Sequence, residues 1–264
     1  MCDNTDLTKP IFIRKNSSLH VNQIRTVNVL RGESRIKSLQ ARPILIERLK
    51  KMGYDEEVVD KIEAYLKNVA PIITHFHPKN ILNKLLSDTH FRSLFEIGTG
   101  SGSTSIVSRN KWEKEIFLDL YTSCTAFERP KYGCFNILNN PAGVIYASAY
   151  GDSYLVFKDH VRIRATIADG DTSVSRLLGV TDYCLHIVNN FGDQELLSVI
   201  NIVNNEIPYG EYILSKYKEI QIHGEIKLDT DIETIAMNSL HKGTAQEEEA
   251  IEFAAKNNCK LEWF

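Results

Sequence analysis

Cysteine is scarce. The five in 264 residues, Cys2, Cys124, Cys134, Cys184 and Cys259, stand singly, without the short paired spacings of a zinc site or a disulfide framework. Reduced, mostly buried thiols are therefore expected. Glycine and proline are also few, 14 and 7, which excludes collagen-like and linker-like chains. No apolar run approaches the roughly 20 residues of a membrane-spanning helix. The amino-terminal MCDNTDLTKPIFIRKNSS lacks the apolar stretch of a signal peptide, which predicts a chain made in a cytosol and not sent through the general secretory route. No strong excess of one charge exists either: 31 Lys and Arg stand against 34 Asp and Glu, a net −3, which argues against a dedicated nucleic-acid binder. The charge is uneven, with eleven basic and four acidic residues in 1–51, and seven acidic residues and one Lys in 229–252. What remains is an ordinary globular composition, 43% hydrophobic and 25% charged, long enough to bury catalytic groups in a core.

The first thirty residues show no strong periodicity and read as an irregular arm. Two helices are predicted next, over 34–50, disturbed by Pro43, and over 55–68, where Asp55 can cap an apolar stripe of Val58, Val59, Ile62, Tyr65 and Leu66. Residues 1–70 thus form an arm and helical region ahead of a main domain at 71–264. PIITHFHP alternates like a strand until Pro78, and Asn80 opens a short helix. FRSLFEIGTGSGSTS reads as a strand entering a glycine-serine loop, followed by a helix from Asn110 with Glu113 three residues on. From 133 to 167, GCFNIL, VIYASAY, SYLVF and VRIRATI look like successive strands with turns too short to hold helices, so antiparallel pairing is expected. Residues 172–205 are predicted helical, with Asp193 opening the last helix, and 210–228 form one or two long strands. Thr244 and Glu247 make a second capping box, and the chain closes on KLEWF.

Two local motifs carry chemistry of their own. The acidic residue and glycines of FEIGTGSG resemble the first motif of adenosylmethionine-dependent methyltransferases, in which Glu96 and the glycines would hold the cofactor, Asp119 would end the second strand, and Asn140 with Pro141 would mimic a catalytic loop. A doubly wound sheet, however, needs strands and helices to alternate, and a run of adjacent strands follows instead. The same loop has no Lys where a phosphate-cradling P-loop needs one. His75 and His77 sit two apart on a predicted strand, so both face one way. With Asp169, Asp171 or His223 they could ligate a metal, as a metal-dependent hydrolase would require, although a hydrogen-bonded core histidine is the commoner case.

Six segments in order, FHP (76–78), FEIGTGSG (95–102), WEKEIF (112–117), ERPKYGCFNIL (128–138), RATIADGDTS (164–173) and EIQIHGEIKL (219–228), resemble a little-characterised bacterial family. Its members carry FHP, FETG with a small-residue loop, RPKYG, a Gly-Asp-Ser segment and a late E-x-Q-x-HG strand. That arrangement is similar to the ADP-ribosyltransferase fold, including the divergent members that intracellular bacterial pathogens use as effectors. The resemblance covers about 72–235 and implies an α+β architecture: the helical amino-terminal region, then a mixed, largely antiparallel split sheet. It implies transfer of ADP-ribose from NAD to a protein side chain, with a host-cell protein as partner, delivery into the host cytosol, and no membrane or nucleic-acid partner. Its early landmark falls on His77, its middle one on Ser103, Thr104 and Ser105, and its late, essential acid on Glu219. Lys79 and Asn80 depart from the family's residues after FHP. Tyr217 stands where enzymes that modify arginine or asparagine carry Glu or Gln, which leaves the acceptor open, with arginine the nearest analogy.

The residue types fit that chemistry independently of the family. Cleaving nicotinamide from ribose leaves positive charge on the sugar, which carboxylates stabilise in glycoside hydrolysis. On a strand, Tyr217, Glu219 and Gln221 share one face while Ile220 and Ile222 fill the other; Glu219 is the expected catalytic acid, with Gln221 beside it. For the cofactor, His77 can donate to a ribose or diphosphate, and Gly98, Thr99 and Gly100 can bring backbone amides to the carboxamide. Ser103 and Thr104 can donate to polar groups. Arg129 and Tyr132 could clamp a phosphate and stack on a ring, or Arg129 could pair with a nearby acid as scaffold. Arg92 is a second phosphate candidate.

Overall fold

The computed structural model describes residues 19–98, 105–206 and 217–264. The first described element is a 31-residue helix, α1 (Val21–Lys51), longer by four turns than the sequence pattern suggests. Its buried stripe has helical spacing but is half polar: Gln23, Thr26, Arg31, Ser34 and Ser38 alternate with Val27, Leu30, Ala41, Leu45 and Leu49. Each long polar group finds a fixed partner. Gln23 donates to the Glu128 carbonyl (2.7 Å), Arg31 to the Ile163 carbonyl (2.7 Å) and Asp182, and Ser38 bonds the His186 ring (3.1 Å). Pro43 lies on the exposed side and does not end the helix.

Helix α2 (Glu57–Asn68) buries Val58, Val59, Ile62 and Leu66 as expected, but starts after Glu56 without a side-chain cap. Strand β1 (Ile72–Phe76) is buried throughout. Pro78 does not merely stop it: with φ already set for a helix, it becomes the first residue of α3 (Pro78–Ser87). FEIG is not a strand but the one-turn helix α4 (Leu94–Ile97), held by a capping box between Ser93 and Glu96 and ended by Gly98 at φ 68°. Helix α5 (Ile106–Ile116) begins at Ser105, whose hydroxyl caps Ser108, rather than at Asn110. Strand β2 (Lys131–Phe135) follows.

VIYASAY forms a 3-10 turn at Ile145–Tyr150, where a strand was expected, before β3 (Ser153–Phe157). VRIR does the same at Asp159–Arg164, before β4 (Ala165–Ala168). The stretch predicted wholly helical contains β5 (Leu178–Val180), then α6 (Leu185–Val188) and α7 (Asp193–Val203). Of the long strands expected over 210–228, the part over 210–216 lies outside the described residues, and β6 (Glu219–Ile222) is the part found among the described ones. Then come α8 (Leu228–Asp231), β7 (Ile232–Met237), α9 (Ala245–Asn257) and β8 (Lys260–Trp263). At the start of α9 the Thr244 side chain makes no cap bond to the helix, and Glu247 instead accepts from the Gly243 amide (2.6 Å).

The eight strands make one sheet in the order β5-β4-β6-β2-β1-β3-β7-β8, antiparallel throughout except for the β7–β8 pair. The fold is α+β. One face carries Ile72, Phe135, Leu155, Ile220, Ile222 and Ile235 into the main core. That core also takes Leu45 and Leu49 from α1, Ile62 from α2, Val199 from α7 and Phe253 from α9. The helical amino-terminal region therefore shares its core with the sheet. On the opposite face the register sets Cys134 against Glu219 and Tyr132 against Gln221, and there the sheet floors a cleft. No described helix is long and apolar enough to cross a membrane.

Candidate functional site

The cleft has a volume of about 530 Å³, within the ~300–1,000 Å³ of small-molecule and cofactor sites. Its walls include Thr74 from β1, Arg109 from α5, Tyr132 and Cys134 from β2, Tyr150, Tyr217, and Glu219 at the first residue of β6. Glu219 is only 2% exposed. Both of its recorded bonds fall on one oxygen: Oε1 accepts from the Thr172 hydroxyl (2.5 Å) and from the Gln221 amide (3.0 Å). Burial lifts its pKa to about 7, against the pull of Thr172, Arg109 and Gln221 and with a push from Asp171. A carboxylate poised near neutrality can hold or release a proton at working pH.

Arg109 completes the electrostatics, and nothing in the local sequence singles it out. Its guanidinium lies 4.0 Å from the centre of the Tyr132 ring and 5.5 Å from that of Trp112. Its Nε and Nη1 are buried without a hydrogen-bond partner among the described residues. An unpartnered buried donor is costly, and here the donors border a cleft. Anionic ligand oxygens would satisfy them. Thr172 likewise carries no distinguishing pattern within RATIADGDTS.

Glu219 and Tyr132 are thus brought together at the cleft, and the other expected residues divide. Gln221 does not line it; fully buried, it holds Glu219 from behind. The Tyr132 ring faces the cleft, but its hydroxyl is committed to Glu113 (2.8 Å). Arg129 takes the scaffold role: it donates to the same Glu113 (2.8 Å), stacks 4.7 Å over Phe95 and lines no part of the cleft. His77 does not line it either, because its ring bonds the Ala149 carbonyl (3.2 Å). Gly98 is the left-handed end of α4, also off the cleft. Thr99, Gly100, Ser103 and Thr104 fall outside the described residues. Arg92 does reach the cleft, but with its guanidinium bonded to Asp88 (2.7 and 2.8 Å) and Glu96 (3.1 Å).

The two local motifs do not assemble. Glu96 sits on a helix rather than a strand end, and its carboxylate caps Ser93 and pairs with Arg92 and Lys131. His75 has both ring nitrogens occupied: Nε2 accepts from the Val144 amide (3.0 Å), so Nδ1 donates to the Gly151 carbonyl (2.9 Å). That leaves no lone pair for a metal. Gly151 itself is required, since a side chain there would overlap the Phe76 backbone at 1.9 Å. Asp169 is tied to Lys218 (2.9 Å), and Asp171 caps Ser173 (2.7 Å). Among the described residues, the group able to surround an ion is His20, Cys124 and Glu128, none of which lines the cleft.

A family model described as a protein of unknown function (DUF3626) matches residues 71–189. The match runs from β1 through α6, taking in the cleft walls of β1, α5 and β2 but stopping before the strand that carries Glu219. No curated protein matches the chain.

Proposed function

We propose that the chain is an NAD-dependent mono-ADP-ribosyltransferase acting on a protein side chain. The observation that carries this reading is Glu219, a buried carboxylate near neutral pKa, half held by neutral donors, in a cofactor-sized cleft whose wall includes Arg109, with its Nε and Nη1 lacking a hydrogen-bond partner among the described residues. In this reading Arg109 takes the NAD diphosphate, and the tyrosine rings of Tyr132, Tyr150 and Tyr217 pack against the nicotinamide ribose portion. The bond between nicotinamide and ribose C1′ breaks with its electron pair leaving on neutral nicotinamide. Glu219 stabilises the positive charge left on the sugar. The acceptor nitrogen or oxygen then bonds C1′, and its proton passes to Glu219. Arginine remains the acceptor of first choice by analogy, with a host-cell protein as its source.

The test is nicotinamide release and transfer of label from labelled NAD, with purified protein in a eukaryotic cell extract, beside Glu219→Gln. A discrete labelled band that is absent in the variant supports the reading. Absence of both nicotinamide and label across several extracts, with no NAD binding by calorimetry, overturns it.

A further inference from the structure

Behind Glu219, four side chains that line no part of the cleft are linked in series. The Tyr121 hydroxyl meets His223 Nδ1 (2.5 Å), His223 Nε2 meets the Thr166 hydroxyl (3.0 Å), that hydroxyl meets Gln221 Oε1 (2.8 Å), and Gln221 Nε2 reaches Glu219 Oε1 (3.0 Å). All four are at most 1% exposed. Water cannot substitute for a missing partner there, so donors and acceptors must match along the whole series.

Counting protons leaves one order. An ionised Glu219 accepts only, so Gln221 must present its N–H and turn its carbonyl to Thr166. Thr166 gives its single proton to that carbonyl, and its oxygen must then accept from His223 Nε2–H. His223 is neutral, because burial first and Arg164 second hold its pKa down at about 3. Its Nδ1 is therefore bare and accepts from Tyr121. Every donor points towards the carboxylate.

We propose that Tyr121, His223, Thr166 and Gln221 form a positioning chain that fixes the orientation of the Gln221 amide and thereby holds Glu219 ionised and aimed into the cleft. The catalytic consequence rests on the ADP-ribosyl transfer reading; the ionisation and orientation of Glu219 do not. Were the chain cut, Gln221 could rotate its carbonyl towards Glu219, an arrangement that only the protonated acid satisfies. The other groups that act on Glu219 are Thr172, whose hydroxyl donates to the same oxygen, Arg109 from α5, Asp171 from the turn after β4, Tyr132 and Cys134 from β2, and Tyr150 and Tyr217. All are outside the chain and remain in place when it is broken.

Thr166→Val keeps the shape and deletes the hydroxyl, Thr166→Ser restores it, and Tyr121→Phe removes the terminal donor without touching strands. The primary readout is the titration of Glu219 in protein labelled with carbon-13 at glutamate side-chain carboxyls, assigned by difference from Glu219→Gln. Thr166→Val is expected to raise the titration midpoint by about one pH unit or more, Tyr121→Phe by less, and Thr166→Ser to leave it unchanged. In NAD cleavage, Thr166→Val should lower kcat about fivefold or more at pH 7, regain most of it at pH 9, and keep KM for NAD within about twofold. Identical titrations in wild type, Thr166→Val and Tyr121→Phe overturn the positioning chain. If Thr166→Val does not fold, the Tyr121→Phe titration decides alone. A shifted titration in a protein that neither binds nor cleaves NAD keeps the chain and removes the transferase reading.

Discussion

Two carboxylates are buried on either side of Tyr132, and they differ in how completely they are satisfied. Glu113, 0% exposed, has both oxygens taken, one by the Arg129 guanidinium and one by the Tyr132 hydroxyl. Glu219, 2% exposed, has two neutral donors on a single oxygen and borders open space. Burial raises the pKa of both, yet only Glu113 has a charged partner bonded to it. The first is a strut and the second, in the proposed reading, a reagent. The difference teaches that burial and a perturbed pKa do not by themselves mark a working residue; an unsatisfied side facing a cavity does.

In the proposed transferase reading, the largest effect that sharpens this contrast is on NAD cleavage. Glu219→Gln is expected to lower kcat by about 10²–10⁴, the range for a lost acid–base or charge-stabilising group, with no loss of folding. Its stability should even rise at alkaline pH. A carboxyl whose folded pKa, about 7, exceeds its ordinary 4.5 favours the folded state below 4.5 and loses that contribution as pH climbs through 7. The amide has nothing to lose, so urea unfolding at pH 8.5 should show the variant ahead by on the order of 1–3 kcal/mol. A variant less stable than wild type there would put Glu219 in the same class as Glu113.

Next in size is the mirror experiment. Glu113→Gln strands the Arg129 charge, and chemical unfolding should register about 3 kcal/mol of lost stability, while kcat of the folded fraction stays within a fewfold of wild type. A larger fall in kcat than in stability would make Glu113 part of the chemistry. If Arg109 holds the NAD diphosphate as proposed, Arg109→Gln should raise KM for NAD about tenfold with a smaller change in kcat, measured by initial rates, because such a contact is made in ground state and transition state alike. A last effect, read in stability and not in kinetics, concerns His223, whose folded pKa of about 3 lies below its ordinary 6.5. The unfolded state takes up a proton that the folded state refuses, so stability present above pH 6.5 drains away on acidification towards 3. Thermal melts from pH 7 to pH 4.5 should fall less steeply in His223→Gln than in wild type.

Much of the fold is legible in the sequence where burial is apolar. Helix α2, strands β1 and β3 and the antiparallel class follow from periodicity and short turns. The first half of α1 escapes such a reading because its inward face is Gln23, Thr26, Arg31, Ser34 and Ser38, of which Gln23, Arg31 and Ser38 find their partners more than a hundred residues away. FEIG looks like a strand end, but the Ser93–Glu96 capping box makes it a helical turn. The alternation around Glu219 is readable because a strand places every second residue on one face. Arg109 and Arg129 are indistinguishable in sequence, one on a helix and one before a strand; which of them meets Glu113 depends on packing that no local pattern encodes.

The strand order has a consequence for how the chain is made. Removing β6 from β5-β4-β6-β2-β1-β3-β7-β8 leaves two ribbons with no hydrogen bond between them. Until residue 222 has emerged from the ribosome, β4 and β2 each offer a bare edge, the kind of edge that invites pairing with the wrong partner. The segment that seals both edges is the one that delivers Glu219, so the two ribbons join and the proposed reactive group arrives in a single step, with β7 and β8 still to be added.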